Sequence, residues 1–110
     1  MWYAIVTEDA PNSLEKRMAA RAAHLARLQA MQDEARLLLA GPFPSIDNED
    51  PGEAGYSGSL IVAAFISLQD AIIWANADPF VTAGVYAKVT VKPFRKTLPA
   101  MPVLPDLEVY

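Results

Sequence analysis

The sequence predicts an α+β fold in which strands and helices follow the order β-α-β-β-α-β. Four short apolar runs with the composition of strands are interspersed with two stretches whose apolar residues recur at helical spacing. The chain has 110 residues, of which 53% are hydrophobic and 20% are charged, and this suits one compact domain. Two helices packed on one face of a four-stranded antiparallel sheet would satisfy these observations.

The first strand and the first helix occupy the N-terminal third of the chain. Residues 2–7 are mainly aromatic and β-branched, and the turn formers over 8–12 end this strand. Asn12 is predicted as the helix N-cap, with Glu15 completing a capping box. The helix is predicted over 13–34, because apolar residues recur there at helical spacing.

A long loop is predicted between the two middle strands. Residues 35–40 form the second strand, and the prolines within 41–44 are expected to end it because proline removes ladder donors. The loop over 42–57 is rich in proline and acidic residues and has little periodicity. Residues 59–66 are apolar at nearly every position, which is typical of a strand buried on both faces.

A second helix and a last strand complete the predicted domain. Ser67 is predicted to cap a helix that ends at about Ala77. The strand over 85–91 alternates between apolar and polar residues. Its polar face carries four residues, Tyr86, Lys88, Thr90 and Lys92. With no strand or helix left over, this order is the ferredoxin-like arrangement.

One face of the predicted sheet has no covering layer. The first three strands are apolar on both faces, so a monomer would expose a larger apolar patch than soluble monomers usually do. Burial of apolar surface stabilises by about 25 cal/mol per Å², and we therefore expect a homodimer, or a higher oligomer, formed by sheet-to-sheet contact. The domain is predicted over 1–97. The Pro-rich tail over 98–110 either straps a partner subunit or forms a disordered end.

Composition and charge exclude several classes of function. The chain has no cysteine and one histidine, which excludes disulfides, a thiol nucleophile, a zinc ribbon and a histidine-rich metal site. A net charge of −4 argues against nucleic-acid binding. Gly-rich phosphate and dinucleotide motifs are absent, and we expect no cofactor. Neither a signal peptide nor a membrane span is recognisable, so we expect a cytoplasmic protein with no membrane contact.

The only histidine, His24, is the strongest candidate for chemistry. Arg17 and Arg21 precede it by seven and three residues, and at about 100° per residue the three side chains fall within about 60° of one another. An imidazole beside two cations suits a site that holds a small anionic ligand and moves a proton. The alternative is a structural histidine that packs its ring and bonds a backbone carbonyl.

Asp78 is the second candidate. It precedes Pro79, and a residue before proline is disfavoured in the helical conformation. The Asp78 carboxylate either caps a short turn that begins at Pro79 or orients His24 for proton transfer, and the two roles are compatible. Ser45, Ser57 and Ser59 are candidate hydrogen-bond donors to the ligand. The acidic residues of the long loop lack the spacing of a calcium loop, so we expect a solvated lid and no metal site.

Several motifs together resemble the YciI family over about residues 1–97. They are the segments 12–17, 24–26, 36–42, 57–59, 78–80, 83–86 and 91–94, with Arg21. The resemblance implies a dimeric α+β barrel, and it assigns His24 and Asp78 to the His–Asp active site proposed for the family. Relatives commonly have Gly or Asn where this chain has Ala35, so the turn there is expected to differ, because a left-handed Ala costs about 1 kcal/mol. The tail beyond 97 departs from the family pattern.

These observations predict a small cofactor-independent enzyme that carries out isomerase- or lyase-like proton transfer on a small anionic metabolite. His24 is the expected general acid and base, and Asp78 is its orienting partner. Arg17 and Arg21 are the expected anion-holding groups. The alternative function is a noncatalytic small-molecule binding or regulatory module that uses the same pocket.

Overall fold

The strands and helices follow the predicted order in the computed structural model, which describes residues 1–100. The elements are β1 (Trp2–Asp9), α1 (Leu14–Asp33), β2 (Leu37–Pro44), β3 (Tyr56–Ala64), α2 (Leu68–Asn76), α3 (Pro79–Thr82) and β4 (Tyr86–Phe94). The strands form one antiparallel sheet in the order β2-β3-β1-β4. This confirms the predicted α+β fold, to which the one-turn helix α3 is added. Of the tail predicted over 98–110, residues 101–110 lie outside the described part.

The two long helices cover one face of the sheet. Along β1, the side chains of Tyr3, Ile5 and Thr7 point towards the helices and are buried, whereas Val6 and Glu8 on the other face are exposed. The main core contains Tyr3, Ile5, Leu28, Met31, Ile61, Ala63, Phe65, Ala71 and Ala75. None of the helices in residues 1–100 is long and apolar enough to cross a membrane. The cytoplasmic location remains a prediction.

Asn12 lies in the turn before α1 and does not cap the helix. Its backbone is left-handed, with φ of 56°, and the N-cap position belongs to Ser13, whose side chain makes no capping hydrogen bond. Asparagine tolerates positive φ better than most residues, which suits it to the turn. The predicted capping box between Asn12 and Glu15 is therefore wrong, although the helix begins within one residue of the predicted start. At α2, by contrast, the predicted cap is confirmed, because the Ser67 hydroxyl accepts a hydrogen bond from the Asp70 N–H at 3.1 Å.

Helix α1 ends in a Schellman motif that contains Ala35. The Ala35 N–H donates to the Gln32 carbonyl, and the Arg36 N–H donates to the Met31 carbonyl, each at 2.9 Å. This pair of bonds requires that the residue just past the end of the helix is left-handed. Ala35 occupies that position and has φ of 56°. The expectation that the turn would differ is therefore wrong: it keeps the left-handed geometry, and alanine carries a steric penalty that glycine would avoid.

We expect Ala35→Gly to stabilise the protein by about 1 kcal/mol, because it relieves this penalty without changing the hydrogen bonds. The measurement is urea unfolding monitored by circular dichroism. The midpoint should rise while the slope of unfolding free energy against urea stays constant. An unchanged or lower midpoint would show that the left-handed alanine carries no net cost.

Strand β2 extends through the prolines that were predicted to end it. It runs to Pro44, and Pro42 and Pro44 are paired with Ser59 and Tyr56 of β3. Because β2 is an edge strand, it needs ladder donors on one side only, and proline is tolerated there. The predicted end at residue 40 is thus wrong, and the loop that follows is shorter than the predicted 42–57.

A register shift changes the face on which Tyr86 lies. Lys88, Thr90 and Lys92 lie on the face of the sheet opposite the helices, as the alternation predicts, and pair with Glu8, Val6 and Ala4. The ladder between β1 and β4 is irregular between Glu8 and Asp9, and Tyr86 pairs with Asp9 beyond this bulge. A bulge redirects the side chains that follow it. The prediction that Tyr86 belongs to the polar stripe is therefore wrong, since Tyr86 is buried beside the helices in a second small core with Phe80 and Val85.

The face of the sheet opposite the helices is largely apolar and partly exposed. Val6 on β1 and the edge-strand residues Leu39 and Phe43 are exposed by 37%, 46% and 39%. The register of the ladders places Leu60 and Val62 of the adjacent strand β3 on the same face, where Leu60 is half-buried and Val62 is buried. We refer to this surface, made by these five residues, as the open face.

Candidate functional site

His24 and Asp78 are 54 residues apart in the sequence and meet between α1 and α3. The His24 Nδ1 atom lies 2.9 Å from each oxygen of the Asp78 carboxylate. Both side chains are buried. This is the contact expected if Asp78 orients the imidazole, and it takes the place of the alternative bond from the ring to a backbone carbonyl.

Asp78 also caps the short helix α3. Its backbone is extended, with φ of −61° and ψ of 134°, and its Oδ1 atom accepts a hydrogen bond from the Phe80 N–H at 2.8 Å. Pro79 occupies the first position of α3, where its missing N–H has no intrahelical role. Both roles weighed from the sequence are thus present in one residue, since the capping bond holds the carboxylate in place opposite His24.

The arrangement around His24 selects one tautomer of the neutral ring. A carboxylate accepts hydrogen bonds, so Nδ1 carries the proton and Nε2 keeps its lone pair. The ring stacks on Phe80 with a centroid distance of 4.0 Å and an interplanar angle of 12°, and Tyr86 meets it edge-on at 90°. These contacts fix the plane of the imidazole, which is one requirement for directed proton transfer.

Arg17 reaches the site, but its charge is already paired. Its guanidinium forms a two-point contact with Asp9, in which both N–O distances are 2.9 Å. A further hydrogen bond of 3.1 Å runs from Arg17 to the Ser59 hydroxyl, and the whole side chain is buried. Arg17 therefore braces β1 and β3 against α1, and part of its capacity to hold an anion is already used by Asp9.

Arg21 lies one turn further along α1 and is exposed. Within residues 1–100 it makes neither a hydrogen bond of its side chain nor an ion pair. Its position beside His24 on the cavity wall makes it the available cation at this site. Of the two arginines predicted to hold an anion, Arg21 has the freer charge.

His24 and Arg21 line a cavity of about 470 Å³ between α1, β2, β3 and α3. The walls are mainly apolar, and Ile61 and Leu28 contribute to them. Polar groups are few, and the Ser59 side chain is one of them. A concave apolar space with a few convergent polar groups is the usual form of a small-molecule site.

Of the three serines predicted as ligand contacts, Ser59 lines this cavity, and Ser45 and Ser57 do not. Ser45 lies at a separate surface depression near the N-terminus of α1, and Ser57 is exposed on β3 with its hydroxyl 3.5 Å from the Phe43 carbonyl oxygen. Ser59, the third candidate, is buried beside Arg17 and lines the cavity. No group of three or more potential metal ligands occurs in the described part of the chain.

Three residues of the site were not predicted from the sequence. Asp9 pairs with Arg17, while Tyr56 and Phe80 supply aromatic walls. The Arg17 guanidinium carbon lies 4.8 Å from the centroid of Phe80 and 5.2 Å from that of Tyr56. Phe80 directly follows the Asp78–Pro79 pair, so its position was a usable signal. Asp9 and Tyr56 offered none that distinguishes them from ordinary turn and strand residues.

Tyr86 introduces a dependence of stability on alkaline pH. Burial raises the pKa of the Tyr86 phenol, and the Asp78 charge adds to this effect, while the hydroxyls of Ser59 and Thr7 oppose it. The folded state thus favours the neutral phenol more than the unfolded chain does. The associated stabilisation is complete below the ordinary tyrosine pKa of about 10 and is lost as pH rises through the higher folded value.

We expect Tyr86→Phe to remove this alkaline loss of stability. The Ser59 and Thr7 hydroxyls lie near the Tyr86 hydroxyl, but within residues 1–100 none of its contacts has the distance and angles of a hydrogen bond, so the change should cost little at neutral pH. The measurement is the unfolding free energy of both proteins between pH 8 and pH 11. The wild-type curve should fall more steeply above about pH 10, and parallel curves would contradict the role given to Tyr86.

Comparison with known proteins agrees with this fold and family. A family model described as a YCII-related domain matches residues 1–95. Protein YciI of Escherichia coli O6:H1 is 57% identical over 96 residues, which cover 87% of this chain and 98% of that protein. An uncharacterised protein of Haemophilus influenzae is 58% identical over 96 residues, with the same coverage.

A solved structure with the same fold contains a small-molecule ligand. It is 5-chloro-2-hydroxyhydroquinone dehydrochlorinase (TftG) from Burkholderia phenoliruptrix AC1100 in complex with 2,5-dihydroxybenzoquinone. The match has a TM-score of 0.75 and 27% identity, and it covers 86% of this chain and 94% of the other. With the family model matched over nearly the whole described domain, the chain belongs to the YciI family, the proteins with a YCII-related domain.

Proposed function

We propose that this protein binds a small anionic molecule in the cavity and transfers a proton to or from it through His24. The observation that carries the proposal is the position of the imidazole, which Asp78 holds at Nδ1 and which lines the cavity. Nε2 is then the ring nitrogen left to exchange a proton with a ligand. The functional unit is the domain over 1–97, and the reaction class is isomerase- or lyase-like.

The roles of the charged groups follow from their partners. Asp78 orients His24 and stabilises the imidazolium that forms when Nε2 takes a proton. Arg21 contributes the main anion contact, because its charge is not paired within the described residues. Arg17 assists as a secondary cation whose charge Asp9 partly neutralises. Ser45 and Ser57, which lie away from the cavity, have no role in this proposal.

The shape of the cavity favours a compact molecule with an apolar or ring-shaped body. Its volume of about 470 Å³ falls in the range typical of small-ligand sites. The half-buried Tyr56 presents aromatic surface, against which a planar ring can stack, whereas His24 and Arg17 already cover the ring of Phe80. The ligand of the structural neighbour, 2,5-dihydroxybenzoquinone, is a hydroxylated planar ring. It supports the choice of hydroxylated rings as the first candidate ligands.

A search for proton exchange tests the proposal directly. Wild-type protein is incubated in D₂O with a panel of small carboxylates and hydroxylated ring compounds, and proton NMR follows the signals of each compound. We expect at least one compound to exchange an acidic C–H proton for deuterium or to be converted. Arg21→Gln should weaken the binding of that compound by about tenfold, the change that follows from losing one charged hydrogen bond.

The outcomes separate the two classes of function. A compound that binds with Arg21-dependent affinity, but neither exchanges protons nor reacts, would identify a binding or regulatory module and overturn the catalytic proposal. Binding that does not depend on Arg21 would overturn the assigned anion contact. Exchange by wild-type protein but not by Arg21→Gln at the same low concentration of compound supports the proposed site.

We also propose that the protein is a homodimer whose subunits pack through the open face. Covering exposed apolar surface of this kind favours association. Sedimentation of the wild-type protein should show a dimer or a larger species even at nanomolar concentration. Val6→Lys, which places a charge in the middle of the open face, should shift the population towards monomers. A folded wild-type monomer at micromolar concentration would contradict the proposal.

A further inference from the structure

Arg27 lies on the same helix as His24, three residues further along, and it contacts the end of α2. Its Nη2 atom donates a hydrogen bond to the Trp74 carbonyl at 2.7 Å. Its guanidinium carbon also lies 4.2 Å from the centroid of the Trp74 ring. An arginine that both donates to a carbonyl and stacks on a ring is held at two points. The side chain of Arg27 is therefore fixed against α2.

The Trp74 carbonyl belongs to the last turn of α2, which ends at Asn76, two residues before Asp78. Carbonyls in the last turn of a helix have no intrahelical partner, and a cation there is favourable. His24 and Arg27 of α1 thus both contact the corner between α2 and α3, which we define as residues 74–78. His24 contacts it through Asp78, and Arg27 contacts it through Trp74. Two attachments fix the corner more firmly than one.

The charge of Arg27 also faces Asp78. Its Nη1 atom lies 3.8 Å from Asp78 Oδ2, and the side chain of Arg27 is 23% exposed. Nη1 is buried and has no hydrogen-bond partner within residues 1–100. Burial lowers the pKa of Arg27, and the attraction of Asp78 opposes this decrease. At this separation the two opposite charges attract each other.

We infer that Arg27 is a positioning residue, which holds the corner between α2 and α3 so that Asp78 stays opposite His24 Nδ1. Its charge offsets that of Asp78 while the imidazole is neutral, when His24 itself contributes no positive charge. The inference rests on the proposed function of His24, since positioning matters only if the imidazole moves a proton. The competing explanation is that Arg27 merely ties two helices together.

The test uses the single histidine of the chain as a spectroscopic probe. In protein labelled with ¹⁵N-histidine, every ring signal belongs to His24. The proton on Nδ1 should exchange slowly with water, because it lies in a buried bond to Asp78. We expect Arg27→Met, which keeps side-chain length but removes the charge and the donors, to speed this exchange by about tenfold or more.

Arg36 provides a matched control. It donates to the Ala64 carbonyl at 3.0 Å, and its guanidinium carbon lies 5.3 Å from the centroid of the Phe65 ring. Arg36→Met therefore removes the same two kinds of contact, together with an ion pair to the exposed Glu34 at 3.0 Å, at a place away from Asp78. It should leave the exchange of the His24 Nδ1 proton unchanged. Equal effects of Arg27→Met and Arg36→Met would overturn the inference and leave Arg27 as a structural tie.

A second variant covers the case in which Arg27→Met does not fold. Arg27→Lys keeps the positive charge but loses the planar group that contacts Trp74 and Asp78 together. The exchange rate in Arg27→Lys should lie between those of the wild type and Arg27→Met. If Arg27→Met is unfolded, the rate in Arg27→Lys should be a few-fold above that of the wild type. A rate equal to that of the wild type would contradict the need for both contacts.

These measurements need no substrate, so they are independent of the catalytic proposal. If no compound is converted, the proposed function fails while the exchange comparison still decides the role of Arg27. Where a reaction is found, Arg27→Met should lower kcat by about 10- to 100-fold with little change in KM. A rise in KM alone would mean that Arg27 acts on ligand binding, and it would overturn the positioning role.

Discussion

Replacing His24 with alanine is expected to lower turnover by about 10²- to 10⁴-fold, which is the usual contribution of general acid–base catalysis. Ligand affinity should change far less, because Arg21 and the apolar walls of the cavity remain in place. In the proposed mechanism Nε2 carries the proton, while Arg21 holds the anion. The measurements are steady-state kinetics and calorimetric titration on the same compound.

A second variant at this position guards against indirect effects. Alanine leaves the buried Asp78 without its imidazole partner, which costs stability. In His24→Asn, the amide nitrogen takes about the position of Nδ1 and can donate to Asp78, but the side chain cannot carry a proton. Both variants should lose turnover, and His24→Asn should be the more stable of the two. A noncatalytic binding module would instead show weaker binding in both variants and no turnover in the wild type.

Gly58→Ala should destabilise the protein by more than about 3 kcal/mol, the upper end of what overpacking usually costs. A Cβ atom at this position would lie 1.9 Å from the backbone oxygen of Thr7 and 2.9 Å from its carbonyl carbon. Both atoms belong to β1, a central strand that is paired on both sides. The strand cannot move away without breaking two ladders. Urea unfolding of the purified variant, or its yield of folded protein, provides the measurement.

Gly41 is the matched control for this substitution. It lies on the edge strand β2, and a Cβ there would meet nothing within 4 Å. Gly41→Ala should therefore change the unfolding free energy by no more than about 0.5 kcal/mol. Comparable losses of stability in the two variants would show that the loss comes from replacing a strand glycine as such. The close approach of β3 to Thr7 would then be irrelevant.

The order of the elements was predictable because it depends on periodicity, which is local. Helical spacing along α1 and alternation along β4 are visible in the sequence and recur in the structure. The errors arose where tertiary context decides. The prolines of β2 are tolerated because the strand lies at an edge, and the bulge after Glu8 turns Tyr86 towards the helices. Neither the edge position nor the bulge can be read from the residues alone.

The candidate site was predictable in part, because local features of the sequence mark two of its residues. The restriction on the residue before Pro79 marks Asp78 as an extended residue, and the single histidine directs attention to His24. The interaction of Arg17 with Asp9 was not predictable, because it depends on how the turn after β1 returns the chain to α1. The role of Arg27 is hidden in the same way, since an arginine on a helix is usually solvated.

The prolines of the sheet also limit how copies of this protein can aggregate. An exposed edge strand normally offers a row of free donors and acceptors to which another strand can add. Pro42 and Pro44 interrupt this row on β2, and Pro93 does so on β4, the other edge. Exposed Lys88 and Lys92 place further charge along β4. Growth of the sheet from molecule to molecule, which is the first step towards fibrils, is therefore disfavoured at both edges.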